Sequence, residues 1–138
     1  MHLSVLIVTY NSSALIGGLL DHLRAEIERE GPAFRIEVVL VDNASRDDTA
    51  ARVRREYPWV RLIASAENLG FAAGNNLAAL HARGEYLLLL NPDALPAPGA
   101  LRQGVKLMRT HSRVGLGGGE LRAPDGSRQP SARMFPTL

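Results

Sequence analysis

Four short apolar runs, each followed by polar residues and then by helical spacing, constrain the fold of this chain more than any other feature. The runs cover residues 3–8, 36–41, 60–64 and 85–90. Each run is shorter than a typical helix, and each is therefore predicted to form a buried strand. The last run ends in four leucines, which predicts a strand covered on both faces. Strands that alternate with helices predict a three-layer α/β/α sandwich with a mainly parallel sheet.

The stretches between the runs carry helical signals. Helices are expected from the cap residues 11–13 to Gly31, after Ser45 to about Tyr57, from about Phe71 to His81, and from Pro98 to about Arg109. Ser45 and Asp48 have the spacing of a capping box. A short strand is predicted over Val114–Leu116, and mostly loop is predicted from Gly117 onward.

Composition excludes several classes of protein. The chain has 138 residues, of which 46% are hydrophobic and 22% charged, which predicts one globular domain over residues 1–138. A net charge of only +2 argues against nucleic acid as a partner. The absence of cysteine excludes disulfides and thiolate metal sites. No run reaches the ~18 apolar residues of a membrane span, and the start lacks the basic region of a signal peptide. A cytoplasmic protein is expected, and docking at the cytoplasmic face of a membrane is compatible with the sequence.

Polar residues follow each of the four predicted strands. The clusters are Thr9-Tyr10-Asn11, Asp42-Asn43, Glu67-Asn68 with Gly70, and Asn91-Pro92-Asp93. Parallel sheets of this kind bind ligands beyond the carboxyl ends of their strands. The four clusters are therefore predicted to converge on one rim of the sheet and to form a binding site there.

Individual residues in these clusters allow both a functional and a structural interpretation. The Tyr10 ring can stack on a nucleotide base or pack half-buried. The Asp42 carboxylate can accept the N–H of a pyrimidine or cap the following helix. Gly70 lets the backbone approach an anion or simply turn the chain. Asn75 is a poor helix former inside a predicted helix. Asp93 can hold a hard divalent cation beside substrate phosphates, or it can form an Asx turn.

Two common nucleotide-binding motifs are missing. The dinucleotide fingerprint G-x-G-x-x-G does not follow the first strand, and the glycine run at 115–120 lacks the final glycine. No Gly-Lys-Ser/Thr sequence is present, which excludes a P-loop. A nucleotidyltransferase would usually carry a basic glycine-rich loop after the first strand, and that loop is also absent.

The motifs resemble those of family 2 glycosyltransferases with the GT-A fold. The similar segments are 8–11 (VTYN), 41–49 (VDNASRDDT), 68–76 (NLGFAAGNN) and 87–93 (LLLLNPD). Each segment alone is weakly specific, but four in this order are strongly specific. The Asn-Pro-Asp sequence is similar to that of a rhamnosyltransferase-like branch, where other branches carry Asp-X-Asp.

The resemblance implies roles for particular residues. A nucleotide-binding role is implied for Thr9, Tyr10, Asn11, Asp42, Asn68, Gly70, Asn75 and Asn91, and a metal-binding role for Asp93. It also implies a nucleotide-sugar donor, UDP- or dTDP-linked, a Mg²⁺ or Mn²⁺ cofactor, and a saccharide or lipid-linked acceptor. Family members generally transfer the sugar with inversion at its anomeric carbon.

The sequence departs from the family pattern at the catalytic base. The family's base is an acidic residue well beyond the metal motif, and only Glu120 and Asp125 follow Asp93 here. Neither residue has the context of that base, so the catalytic base stays unassigned.

The apolar segment Met134–Leu138 resembles the middle of a longer member. The chain is thus expected to be the N-terminal, donor-binding part of a longer glycosyltransferase. The alternative is a nucleotide-binding module without catalysis. The oligomeric state does not follow from the sequence.

Overall fold

The computed structural model describes residues 1–129, and its centre is a four-stranded parallel sheet. Its strands are β1 (Leu3–Thr9), β2 (Ile36–Asp42), β3 (Arg61–Ala64) and β4 (Tyr86–Leu89), in the order β3-β2-β1-β4. The helices are α1 (Ser13–Glu30), α2 (Thr49–Glu56), α3 (Gly70–Leu80) and α4 (Ala100–Thr110). The two-residue strands β5 (Leu121–Arg122) and β6 (Arg128–Gln129) pair in an antiparallel hairpin. The predicted α/β fold with a parallel sheet is confirmed.

Helices cover the two faces of the sheet unequally. Alternate residues of β1 and β2 pack on α1, α2 and α4 in the larger core cluster, which includes Val5, Leu20 and Leu101. The opposite face packs on α3 in a smaller cluster around Leu6 and Ala78. Both central strands are therefore buried on both sides, which explains why their sequences are almost continuously apolar.

The fourth strand is not covered on both faces, and the prediction for it was wrong. Leu87 and Leu89 are 48% and 52% exposed, whereas Leu88 packs against the larger core cluster. In the described part of the chain β4 lies at the edge of the sheet, and α3 packs over β1 and β2. A run of leucines reports a preference for burial, but it does not report whether a helix is present to cover the second face.

Two smaller predictions also need correction. Val114–Leu116 forms no strand, and Leu116 is 89% exposed. The described segment after Gly117 is mostly loop, as predicted, and contains the short hairpin of β5 and β6. Helix α4 begins at Ala100, after the left-handed Gly99, and therefore two residues later than Pro98.

The expected capping box at α2 is not formed, because its residues bind elsewhere. The Asp48 N-cap makes no side-chain cap hydrogen bond. Ser45 Oγ instead accepts the backbone N–H of Asn11 at 2.9 Å. At the start of α1, the Ser13 N–H donates to Asp47 Oδ2 at 3.1 Å and the Ser12 N–H donates to Thr49 Oγ1 at 2.9 Å. The beginning of α1 is thus capped from the loop that follows β2.

Across residues 1–129 there is no helix with the length and apolar character needed to cross a bilayer. The Met134–Leu138 segment, on which the prediction of a longer chain partly rested, lies outside the described residues.

We expect Asp47→Asn to destabilise the protein at neutral pH, with the loss shrinking in acid. The hydroxyl of Thr49 and the backbone N–H groups around Asp47 lower the pKa of its carboxyl from 3.8 to about 2. A depressed pKa stabilises the fold fully above pH ~4, and that contribution is lost as the pH falls through about 2. Urea unfolding at pH 7, 4 and 2.5 measures the difference.

Asp48→Asn is the matched control for this experiment. Asp48 is exposed and its carboxylate meets only the exposed guanidinium of Arg55, at 3.7 Å. Such pairs contribute little to stability. A loss of stability in Asp47→Asn that is the same at all three pH values would contradict the assignment.

Candidate functional site

The ends of β1 and β2 bring two predicted site residues together. Thr9 and Asp42 are direct partners in the parallel register and are 0% and 3% exposed. Thr9 Oγ1 donates long hydrogen bonds of 3.4 Å to Val41 O and Asp42 Oδ1. Asp42 Oδ2 accepts the Ser45 N–H at 3.1 Å. The carboxylate is thus oriented by protein donors, and each oxygen retains lone pairs that can accept a ligand N–H or O–H.

Tyr10 and Asn11 follow Thr9 directly. The Tyr10 ring is accessible to a ligand, whereas the Asn11 side chain makes a hydrogen bond within the protein. The Tyr10 side chain is 45% exposed beside the buried Thr9, which leaves ring surface accessible for stacking. Asn11 has a positive φ of 51°, and its Oδ1 accepts the Arg46 N–H at 2.8 Å. The Asn11 side chain therefore braces the loop after β2, which is a structural task that the sequence did not indicate.

The loop from β3 to α3 is attached to the end of β2. The Ser65 N–H donates to Asp42 O at 2.9 Å. Asn43 Oδ1 accepts the Leu69 N–H at 2.8 Å, and Asn43 Nδ2 donates to Asn68 Oδ1 at 2.8 Å and Gly70 O at 3.3 Å. Asn68 and Gly70 are thereby placed next to the Asp42 segment, as predicted for converging strand ends.

Sequence reasoning did not single out Asn43, although it lies in the second polar cluster. Its side chain is 3% exposed and connects two segments that are 25 residues or more apart. The available signal was an asparagine directly after the apolar strand and Asp42, where its partner on the β3–α3 loop could not be inferred.

Asn75 lies on the inner side of α3. It is 6% exposed, and its Nδ2 donates to Phe71 O one turn earlier at 2.9 Å. The preceding Gly74 packs so closely on β1 that an added Cβ would lie 2.9 Å from a methyl group of Val8. Asn76 is exposed. Of these two neighbouring asparagines, Asn75 is therefore buried and Asn76 is exposed.

Asn91 and Asp93 lie beyond the end of β4, and both are exposed. The Leu90 N–H donates to Leu6 O at 2.9 Å, which keeps the chain beside β1 immediately before these residues. Asp93 lines a cavity of about 180 Å³ with Leu15, Gly18, Leu19, Pro92 and Leu95. Its surroundings are therefore partly apolar.

A preformed metal cage is not found in the described ranges of the chain. No group of three or more His, Cys, Asp or Glu side chains is placed there to hold an ion. Mg²⁺ commonly binds one or two carboxylates and completes its shell with water and substrate phosphates. The single exposed carboxylate of Asp93 fits this kind of binding, in which water and substrate phosphates supply the other ligands.

The two carboxylates that follow Asp93 are engaged within the terminal hairpin. Glu120 pairs with Arg122 at 2.7 Å and with Arg128 at 3.3 Å. Asp125 Oδ1 accepts the Ser127 N–H at 2.9 Å, and contact with Ser127 lowers the pKa of Asp125. Both groups make local contacts within the hairpin.

Polar groups at the carboxyl rim of a parallel sheet are typical of the general class of ligand-binding α/β domains. Comparison with known proteins narrows this class. The family model "Glycosyl transferase family 2" matches residues 4–134. The N-acetylglucosaminyl-diphospho-decaprenol L-rhamnosyltransferase of Mycobacterium tuberculosis strain H37Rv is 31% identical over 147 residues. This chain belongs to glycosyltransferase family 2.

Solved structures show the same fold. TarS 1–349 of S. aureus, crystallised with UDP-GlcNAc, is 30% identical with a TM-score of 0.67, over 81% of this chain and 32% of that crystallised chain. The mannosyltransferase PcManGT of Pyrobaculum calidifontis, in complex with GDP-Man and Mn²⁺, is 36% identical with a TM-score of 0.69. That match covers 78% of this chain and 32% of the other. These neighbours confirm the GT-A fold.

The matches extend over only part of each relative. The alignment with the mycobacterial rhamnosyltransferase includes 99% of this chain but 46% of the relative. The chain therefore spans about half the length of that enzyme and about a third of the two solved structures.

Proposed function

We propose that this chain is the donor-binding part of a metal-assisted, inverting glycosyltransferase. Its donor would be a nucleotide-diphosphate sugar, UDP- or dTDP-linked, and its acceptor a hydroxyl group of a saccharide. The observation that carries this proposal is the meeting of Asp42, Asn68 and Gly70 at one rim of the sheet through the hydrogen bonds of Asn43. The complexes of TarS with UDP-GlcNAc and of PcManGT with GDP-Man support a sugar nucleotide as the ligand.

The base of the nucleotide would be recognised at the ends of β1 and β2. Asp42 is held by Ser45 and Thr9, so that its remaining lone pairs can accept an N–H of the base. The exposed ring of Tyr10 would stack on the base, a contact worth roughly 1–3 kcal/mol. Asn68 and Gly70 would lie along the nucleoside. Asn11 and Asn75 would contribute mainly through the hydrogen bonds that shape the surrounding loops.

Asp93 would hold the divalent cation. A bound Mg²⁺ or Mn²⁺ would neutralise charge on the diphosphate as it departs. The Mn²⁺ in the PcManGT complex supports the use of a divalent cation. Asn91 occupies the position of a second acidic residue but is neutral, so we assign it a contact to ribose or to water. A single protein carboxylate implies that cation and nucleotide bind together, since the phosphates supply further ligands.

The reaction would be an in-line displacement. The acceptor oxygen would form a bond to the anomeric carbon as the bond to the diphosphate oxygen breaks, which inverts the configuration. The proton of the acceptor hydroxyl would pass to a carboxylate base. Since Glu120 and Asp125 are engaged in the hairpin, we assign that base to neither of them.

The acceptor is proposed to be lipid-linked. The mycobacterial relative is named for the glycosylation of N-acetylglucosaminyl-diphospho-decaprenol, which is a saccharide on a lipid carrier. An enzyme with such an acceptor would work at the cytoplasmic face of a membrane.

A second candidate is a nucleotide-binding module without transferase activity. The engagement of Glu120 and Asp125 favours it, because each carboxylate beyond Asp93 in the described residues already has local partners. Enzyme and module would share the same donor site. An assay for release of free sugar from the donor, or for sugar transfer to an acceptor, distinguishes the enzyme from the module.

Calorimetric titration with UDP and dTDP, with and without Mn²⁺, tests the proposed donor site. We expect binding of at least one nucleotide, with an affinity that rises about tenfold or more when Mn²⁺ is present. ATP serves as a control for unspecific binding of a charged nucleotide. Failure of both pyrimidine nucleotides to bind a folded chain, as judged by circular dichroism, would contradict the donor-site proposal.

A further inference from the structure

The amide of Asn43 is held in one orientation by the backbone. The Leu69 N–H donates at 2.8 Å to the atom assigned as Asn43 Oδ1. A backbone N–H can only donate, so that atom must be the oxygen and the other must be the nitrogen. Asn43 Nδ2 therefore faces Asn68, at 2.8 Å from its Oδ1.

The orientation of Asn68 follows from the same reasoning. Its Oδ1 accepts both Asn43 Nδ2 and the Gly70 N–H, the latter at 2.9 Å. Two donors fix this atom as the oxygen, and the acceptor end of the Asn68 amide is thereby turned toward protein. Because Asn68 is exposed, its NH₂ group is the end that remains for a ligand.

Asn43 also joins this loop to the rest of the rim. Its backbone N–H donates to Thr9 O at 2.8 Å, which continues the ladder between β1 and β2. Its side chain is 3% exposed and reaches Leu69, Asn68 and Gly70. One residue thus connects the end of β1, the end of β2 and the start of α3.

We infer that Asn43 is a positioning residue of the donor site, which holds Asn68 so that its NH₂ group donates to an acceptor atom of the nucleotide. Asp42 next to it presents acceptor oxygens, so the rim offers one fixed acceptor and one fixed donor. A pyrimidine or purine edge, on which a ring N–H lies beside a carbonyl oxygen, carries the complementary donor and acceptor. The inference rests on the proposed nucleotide site. It adds the residue that determines which end of the Asn68 amide faces the ligand.

Hydrogen exchange tests the positioning without any ligand. In Asn43→Ala, the amides of Leu69 and Gly70 should both exchange faster than in the wild type, by about tenfold. In Asn68→Ala, the Gly70 amide alone should accelerate, since the bond from Leu69 to Asn43 remains. Unchanged exchange of Leu69 and Gly70 in Asn43→Ala would overturn the inference.

Nucleotide titration of the same variants tests the functional consequence. Asn43→Ala and Asn68→Ala should each weaken the affinity for the nucleotide that the wild type binds, UDP or dTDP, by about 10-fold. The double variant should be no weaker than the weaker single variant, because the two residues act through one contact. Asn76→Ala, at an exposed position on α3, is the control and should bind like the wild type.

The outcomes separate this inference from the proposed function. Nucleotide binding by the wild type with unchanged affinity in folded Asn43→Ala and Asn68→Ala would overturn the inference alone. Losses of affinity that add fully in the double variant would also overturn it. Absence of nucleotide binding by the wild type would overturn the proposed function and this inference together. If Asn43→Ala does not fold, Asn68→Ala decides, since Asn68 is exposed and its loss leaves the core intact.

Discussion

Asp93→Ala is expected to abolish the effect of Mn²⁺ on nucleotide binding, and therefore to weaken binding in the presence of Mn²⁺ by the factor of about ten or more that Mn²⁺ contributes in the wild type. Asp93 supplies the single acidic side chain that we assign to the cation, and the cation links the protein to the diphosphate. Calorimetry with UDP and dTDP at saturating and zero Mn²⁺ measures the effect. Binding without Mn²⁺ should be nearly the same in variant and wild type.

The control for this variant removes a carboxylate of similar exposure elsewhere. Asp21 lies on α1, is 64% exposed and makes a 3.9 Å contact with Arg24. Asp21→Ala should keep the full response to Mn²⁺. If Asp93→Ala retains that response too, the cation is not held at Asp93 and the metal assignment is wrong.

Gly84→Ala is expected to destabilise the protein by about 1–3 kcal/mol. An added Cβ at Gly84 would lie 2.5 Å from Ser4 N and 2.8 Å from the carbonyl carbon of Leu3. Both atoms belong to the backbone of the central strand β1 and cannot move aside. The same substitution would disturb the hydrogen bond of 2.8 Å from the Gly84 N–H to Ser4 Oγ. Equilibrium unfolding in urea measures the loss.

Gly104→Ala provides the opposite expectation for the same change of residue. Gly104 lies inside α4, and a Cβ there would have no atom within 4 Å. Replacing glycine by alanine in an open helical position stabilises by roughly 0.5–1 kcal/mol. Equal effects of the two substitutions would contradict the assignment of Gly84 to a close approach between β1 and the segment that precedes β4.

The sequence predicted the sheet well because each of its four strands is a short apolar run. Continuous apolar runs in β1 and β2 report coverage on both faces, and the structure has both faces covered. The same signal failed at β4, where Leu87 and Leu89 are exposed. Hydrophobicity measures what a strand would gain by burial, whereas coverage depends on where distant helices pack.

At the candidate site, the sequence predicted which segments meet but not how they are joined. The strand-end rule placed Asp42, Asn68 and Gly70 on one rim, and the structure has them in adjoining segments. It could not identify Asn43 as the contact between them, because that contact depends on a pairing across 25 residues. The capping of α1 by Asp47 was missed for the same reason, since local rules favour a nearby cap such as Ser12. The nucleotide and metal roles themselves remain predictions.

The long-range cap of α1 has a consequence for the order of folding. The first N–H groups of this helix find their acceptors on Asp47 and Thr49, more than 30 residues further along the chain. During synthesis or refolding, these acceptors reach the helix only after β2 has paired with β1. Until then the N–H groups of Ser12 and Ser13 have only water as a partner, and the start of α1 should fray. Ordering of that turn, next to Tyr10, is therefore expected to be a late event that reports completion of the β1–β2 pair.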